Sequence, residues 1–268
     1  YESCQYRKQP GLCSAGYGKC VSYGKRAFYH GIWQAQLECC QTEKIIKQQK
    51  ASKSGGESAI PDSPFNIKSI RGGEMAGYLF AHFIGEEKDG EQIYFSLSRD
   101  GLHWEDLNGG NPILYSKTGA LGVRDPFLVR DPESGIVYLI ATDLRIEAGK
   151  GWEAAQYEGS RDLIIWESKD LVHWGRERSY TVGVPGAGCV WAPEAVYDRE
   201  KKEFLVFFAS MTSEETTSGA GKKQKIYAAY TKDFSTFSET FLYIERENHV
   251  IDTTILESGG RYYRISKD

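Results

Sequence analysis

The feature that most constrains the fold is a pair of motifs that recur in step from Gly77 onward. The first motif joins Ser or Thr, a basic residue and Asp to an aromatic residue four positions after the Asp. It occurs as SRDGLHWEDL at 98–107, SKDLVHWGRE at 168–177 and TKDFSTFSET at 231–240, each after a strand-like apolar run. The second motif alternates with the first and reads VRDPFLVRDPESGIVYLIAT, VWAPEAVYDREKKEFLVFFAS and VIDTTILESGGRYYRIS.

The spacing of the second motif gives the size of the repeating unit. Asp125, Ala192 and Asp252 occupy matching positions, 67 and 60 residues apart. Each unit is then a four-strand block, with two strands from the first motif, a loop, and two strands from the second. Four-stranded units with a period above about 40 residues predict a β-propeller. Two meanders stacked in a sandwich are the alternative.

Composition agrees with an all-β fold and excludes two classes of partner. Aromatic residues are abundant (17 Tyr, 12 Phe and 6 Trp), and 29 Gly indicate many turns. A net charge of −4 and a pI near 5.9 argue against a protein that binds nucleic acid through bulk electrostatics. No run approaches the roughly 20 apolar residues of a membrane-spanning helix, so no membrane span is predicted.

The first part of the chain differs from the rest in charge and in cysteine content. Residues 1–60 carry nine Lys and Arg against four Asp and Glu, and five of the six cysteines lie within the first 40 residues. The polar run QQKASKSGGES at 48–58 indicates a boundary. We therefore divide the chain into an unassigned segment, 1–75, expected to be disordered or extraneous, and a partial propeller domain, 76–268. Because residue 1 is Tyr and the last residues directly follow a strand-like run, we also expect a fragment cut at both ends.

Carboxylates occupy the heads of the repeated first strands. In a propeller the first strand of each blade lines the central channel, so matching positions converge on one axial pocket. Asp125 and Asp252 should then share that pocket, with Glu194 two positions beyond Ala192. Converging carboxylates suit inverting glycoside hydrolysis, in which a base and an acid lie roughly 6.5–9.5 Å apart. A carboxylate that caps the end of a strand is the simpler interpretation of each Asp.

The order of these motifs resembles glycoside hydrolase family 43, most closely its arabinofuranosidase-like branch. The similarity rests on VRDPFLV, WAPEAVY and IDTTIL in that order, with SKDLVHW between them, and covers about residues 76–268. It implies a five-bladed propeller, of which three to four blades are present, and an enzyme without a cofactor. It assigns Asp125 as general base and Asp252 as the group that modulates the pKa of the acid. It also implies that the acid, a Glu heading the next blade, lies beyond residue 268, so that the fragment itself is expected to be inactive.

Glu194 is the rival for the general acid within the chain. Glycoside hydrolase family 32, a related family, places Asp, Arg-Asp-Pro and Glu on successive early blades. On that pattern Asp125 would stabilise the transition state and Glu194 would be the acid. The WAPE tetrapeptide fits better with the family 43 blade marker, which makes Glu194 a pocket-lining residue.

Aromatic and basic residues near the strand heads are candidates for binding the substrate. Trp191 offers a flat ring on which a sugar can stack, and Arg124 can orient or pair with Asp125. Phe127 follows Asp125-Pro126 and points either to the pocket or to the core. The long loop 145–161 can rim the pocket, although for any one residue, Trp152 included, an ordinary surface position is the simpler interpretation.

No pattern in the sequence indicates a metal site. His103 and His173 occupy equivalent repeat positions, which indicates a structural role. SRDGLHW is one residue short of the sialidase Asp box, and no arginine triad accompanies it.

The sequence thus predicts an inverting glycosidase acting on terminal α-L-arabinofuranosyl or β-xylosyl residues of plant polysaccharide. By resemblance the protein is expected to be secreted or periplasmic, with carbohydrate as its partner. A family 32-like β-fructosidase and a non-catalytic carbohydrate-binding propeller are the alternatives.

Overall fold

The computed structural model describes residues 35–37, 77–216 and 219–267. Most of the segment 1–75, including its five cysteines, lies outside the described residues. Within them the fold is all-β, as the sequence predicted, and no helix is long and apolar enough to cross a membrane.

Antiparallel sheets follow one another along the chain, and each is built from consecutive strands. The first sheet consists of β1 (Ala35–Leu37), β2 (Gly77–His82), β3 (Tyr94–Ser98) and β4 (Trp104–Asp106). The second consists of β5 (Val123–Arg130), β6 (Val137–Asp143), β7 (Asp162–Ser168) and β8 (Arg178–Thr181). The third consists of β9 (Trp191–Asp198), β10 (Glu203–Thr216), β11 (Gly219–Thr231) and β12 (Phe241–Ile244), and a two-stranded sheet of β13 (Ile251–Ser258) and β14 (Arg261–Lys267) follows. A short helix, α1 (Trp152–Tyr157), lies between β6 and β7.

The apolar core lies in layers between successive sheets, and β6 shows why. Its whole length is buried, with Leu139 and Ala141 in the cluster that joins the first and second sheets. Tyr138 and Ile140, one position out of phase, belong to the cluster that joins the second and third sheets. Because side chains alternate across a strand, a strand covered on both faces needs an unbroken apolar run. The run Val-Tyr-Leu-Ile-Ala meets that requirement.

The repeated Ser-x-Asp motif closes turns after the third strand of a sheet. Asp100 accepts hydrogen bonds from the backbone N–H and ring Nδ1 of His103, at 2.8 and 2.7 Å. Asp170 and His173 form the same two bonds at 2.8 Å each. The equivalent histidines therefore contact the carboxylate of their own turn, which gives them a structural role.

Candidate active site

The first strands of three consecutive sheets carry the same irregularity at their heads. Asp125, Ala192 and Asp252 have φ values of 49°, 46° and 45°, in the left-handed region that residues other than Gly rarely adopt. At each head the first strand has one residue more than the strand paired with it, as in a β-bulge. The three positions aligned in the sequence are therefore equivalent in backbone structure. Strain of this kind costs on the order of 1–3 kcal/mol and tends to occur at functional sites.

Thr142 connects the first two of these heads. Its hydroxyl donates to Asp125 Oδ2 at 3.1 Å, and its Oγ1 accepts the backbone N–H of Ala192 at 2.9 Å. Since the N–H occupies one lone pair of Oγ1, the hydroxyl proton is directed at Asp125. Thr142 is fully buried at the end of β6, so the bond fixes the orientation of a carboxylate that remains partly accessible.

Arg124 is held in place on several sides. Its Nη1 lies 2.9 Å from Glu91 Oε1 and 3.4 Å from Glu86 Oε1. The guanidinium also lies over the rings of Phe83 and Trp152, 4.6 and 4.8 Å from their centroids. Contacts of this kind between a cation and an aromatic ring are each worth about 0.5–2 kcal/mol. Arg124 is thus immobilised, with its charge opposite two carboxylates.

Glu91 is the buried anchor beneath Arg124. Its side chain is 2% exposed, and besides Arg124 it accepts the backbone N–H groups of Ile146 and Glu147, each at 2.9 Å. A buried carboxylate is stable only when its charge and lone pairs are satisfied. Glu91 therefore ties the loop after β6 to the head of β5.

Two indole rings lie beside these groups. Trp191 begins β9, and its ring meets that of Trp152 edge to face, with centroids 6.1 Å apart. Trp152 begins α1 and is 46% exposed. The sequence singled out Trp191, but it gave Trp152 no more weight than an ordinary surface residue.

Glu194 and Asp252 lie where the third sheet meets the last pair of strands. Glu194 is 8% exposed, and its Oε2 has no hydrogen-bond partner. Burial raises the pKa of Glu194 to about 8, a hydrogen bond with Thr254 opposes that rise, and the charge of Asp252 adds to it. Asp252 is half-buried, and Lys267 Nζ lies 3.3 Å from its Oδ2. A carboxyl group with a raised pKa thus lies near an Asp at a strand head.

Phe127 is partly buried beside the core. Its side chain packs against the cluster that joins the second and third sheets. Of the two orientations that the sequence allowed, this contact favours the one that supports packing.

The sequence did not single out Thr142 or Glu91, and it predicted an ordinary surface position for Trp152. Thr142 alone left a signal, because it is the polar residue that directly follows the apolar run of β6. Among the described residues, no three His, Cys, Asp or Glu side chains are grouped so that they could hold a metal ion.

Comparison with known proteins shows where this chain has relatives. Residues 73–268 match the sequence model of a family related to glycosyl hydrolase family 43 and described as "Probable glycosyl hydrolase domain". An alpha-L-arabinofuranosidase from Bifidobacterium longum subsp. longum is 32% identical over 235 residues, which are 81% of this chain and 22% of that protein. The chain thus spans about a fifth of the length of this curated relative.

Two solved structures that match part of this chain share little of its sequence. An exo-beta-1,3-galactanase from Phanerochaete chrysosporium has a TM-score of 0.47 at 12% identity, covering 71% of this chain and 41% of its own. An exo-1,5-alpha-L-arabinanase from a bovine ruminal metagenomic library has a TM-score of 0.47 at 13% identity, covering 71% and 63%.

Proposed function

This chain belongs to the glycosyl hydrolases related to family 43, and on that premise we propose that it contributes the hydrolytic site of an α-L-arabinofuranosidase. The 32% identical relative is an alpha-L-arabinofuranosidase, which supports the arabinofuranosyl specificity. Terminal β-xylosyl residues are the other substrate that the resemblance allows. The polymer attacked would be a plant polysaccharide.

The proposal includes a five-bladed propeller. Successive sheets that stack through apolar layers, the last three of which begin with the same bulged strand, support it. In such a ring the heads of β5, β9 and β13 converge on one axial pocket, which would bring Asp125 and Asp252 together.

Asp125 is proposed as the general base. The observation that carries this assignment is its strained, bulged position combined with the hydrogen bond from Thr142, which fixes the orientation of a partly accessible carboxylate. Asp125 would remove a proton from a water molecule while the water oxygen attacks the anomeric carbon. The glycosidic bond breaks on the opposite face, so the configuration inverts.

Asp252 is proposed to modulate the pKa of the acid, and Glu194 to line the pocket. The charge of Asp252 raises the pKa of its neighbour Glu194, which is the effect such a group needs to have on an acid. Glu194 Oε2 is buried, so this oxygen is poorly placed to protonate a leaving group. The acid is therefore proposed to be the Glu that heads the blade after β14 in family 43.

Hydrolysis of 2,4-dinitrophenyl α-L-arabinofuranoside tests the base without depending on the acid. Dinitrophenolate departs without being protonated, so turnover requires only the base and the pocket. We expect Asp125→Asn to lower kcat by about 10²–10⁴-fold, the usual contribution of general acid–base catalysis. The matched control is Asp131→Asn, at the second Asp-Pro dipeptide, where the carboxylate only accepts bonds within its own turn.

Azide distinguishes a lost base from a damaged fold. The variant Asp125→Gly tolerates the positive φ and leaves space for an anion that needs no deprotonation. Azide should restore turnover and give an arabinosyl azide of inverted configuration, which proton NMR detects. Full activity of Asp125→Asn would refute the base assignment. If the wild type shows no turnover but binds sugar as tightly as Asp125→Asn does, the chain is a non-catalytic binding propeller.

A family 32-like arrangement with Glu194 as the acid is the second candidate, and the raised pKa of Glu194 favours it. An acid matters most for poor leaving groups. This candidate predicts that Glu194→Gln slows hydrolysis of a methyl glycoside far more than that of the dinitrophenyl glycoside. Equal effects on the two substrates would exclude it.

A further inference from the structure

Trp152 is an exposed indole beside the strand heads, where the rings of Trp191 and Phe83 are only partly exposed. Among the described residues it is the tryptophan with the greatest exposure, at 46%. We propose that Trp152 is the stacking platform for a neutral sugar ring adjacent to the one held over Asp125. The inference rests on the proposed glycosidase function and adds a second sugar-binding position to it.

The contacts of Trp152 place it over two strand heads. The guanidinium of Arg124, the neighbour of Asp125, lies 4.8 Å from the centroid of its ring. The ring of Trp191, the neighbour of Ala192, meets it edge to face at 6.1 Å. Trp191 is the less exposed of the two rings. Arg124 and Trp191 therefore lie between the strand heads and Trp152. Trp152 is in a position to contact a second sugar ring, farther from the strand heads than the first.

The helix that carries Trp152 is fixed against the rest of the fold. Gly159 N–H donates to Gly188 O at 2.7 Å, and Gly188 N–H donates to Met211 O at 2.8 Å. A side chain at either glycine would collide with a carbonyl oxygen of α1, at Ala155 or Gln156. A platform held in this way loses little conformational entropy when a ligand binds.

Both the chemistry of the ring and its surroundings indicate the kind of ligand. The C–H groups on one face of a furanose or pyranose pack on an indole and lose water, whereas the hydroxyl groups stay hydrated at its edge. The charge of Arg124 is already opposite Glu91 and Glu86, with Asp125 next to it in the chain. Because carboxylates outnumber the cation here, a uronic acid would be repelled, and a neutral sugar fits.

Isothermal titration calorimetry on the 268-residue chain tests the platform, with L-arabinose, α-1,5-arabinobiose and xylobiose as probes. If Trp152 binds only the second ring, Trp152→Ala should weaken arabinobiose binding about tenfold, roughly 1.4 kcal/mol, and leave arabinose binding unchanged. Trp152→Phe keeps a flat ring and should lose less. Tyr157→Ala, on the same helix and also exposed, is the control and should change neither affinity by more than about twofold.

The outcomes separate this inference from the proposed function. A Trp152-dependent gain for xylobiose alone would support the platform and refute the arabinofuranosyl specificity. Equal losses for arabinose and arabinobiose, no loss at all, or no binding of any probe by the wild type would overturn the platform. If digalacturonic acid binds as tightly as arabinobiose does, the proposed preference of the Trp152 platform for neutral sugars is wrong.

Discussion

Replacing Glu194 by Gln should make the folded chain less sensitive to rising pH. Glu194 has an ordinary pKa of 4.5, and burial raises it to about 8 in the folded state. Above pH 4.5 the unfolded chain releases the proton, while the folded chain keeps it until about pH 8. Folding therefore takes up a proton in this window, so the group lowers stability as the pH rises. Gln carries no ionisable proton and removes the effect.

The magnitude follows from the separation of the two pKa values. Each pH unit is worth about 1.4 kcal/mol, so the wild type should lose about that much stability per unit relative to Glu194→Gln. The accumulated difference is about 3 kcal/mol at pH 7 and approaches about 5 kcal/mol at pH 8. Below pH 4.5 the free energies of unfolding of the two proteins should differ by an amount that does not change with pH. This amount reflects how the amide of Gln fits beside Thr254.

Urea denaturation at half-unit steps from pH 4 to pH 9 measures this difference. Glu105→Gln, exposed on β4, controls for the loss of one carboxyl group from the chain. The diagnostic quantity is the slope of the stability difference against pH, because a better or worse packed amide shifts the whole curve without tilting it. A difference that stays constant within about 0.5 kcal/mol from pH 5 to pH 8, against the several kcal/mol expected, would refute the reasoning.

Three further substitutions test the contacts that hold Asp125, Arg124 and α1 in place. Thr142→Val removes the hydroxyl that aims Asp125 and should lower kcat about tenfold or more with little change in KM, as measured with the dinitrophenyl glycoside. Glu91→Ala leaves the buried charge of Arg124 without its closest partner and should cost about 3–5 kcal/mol in urea denaturation. Gly188→Ala forces α1 away from its seat and should cost about 1–3 kcal/mol in the same assay.

Matched variants control the first two of these predictions, and the third is tested by its own outcome. Thr142→Ser restores the hydroxyl and should recover most of the activity, whereas equal loss in Ser and Val would refute the hydrogen-bond explanation. Glu87→Ala, exposed in the same loop as Glu91, should change stability by less than about 0.5 kcal/mol. A fully stable Gly188→Ala protein would show that α1 is not seated as tightly as described.

The strands and their repeat were predictable because both are local patterns. The apolar run of β6, the Ser-x-Asp turns and the shared heads at Asp125, Ala192 and Asp252 each lie within a short stretch of sequence. Alternation of side chains and turn chemistry act over the same short range. The similar φ values at the three heads confirm an alignment made from residue types alone.

The sequence did not determine the orientation of a side chain that could point to either face of its strand. Phe127 follows a bulge, and one extra residue reverses the face to which every later side chain points. Whether it lined the pocket or the core depended on the register of β5 against β6. In the folded chain that register packs Phe127 against the core.

By itself the sequence determined the all-β class, the four-stranded unit and the heads at which carboxylates lie, because these follow from periodicity and repetition along one chain. Only the tertiary structure decided what surrounds those heads. Glu91 reaches Arg124 across 33 positions, and Thr142 reaches Ala192 across 50. Contacts over such distances arise only when separate strands and sheets pack together, so no local pattern encodes them. That packing also places the exposed ring of Trp152 beside Arg124 and Trp191, which the sequence did not indicate.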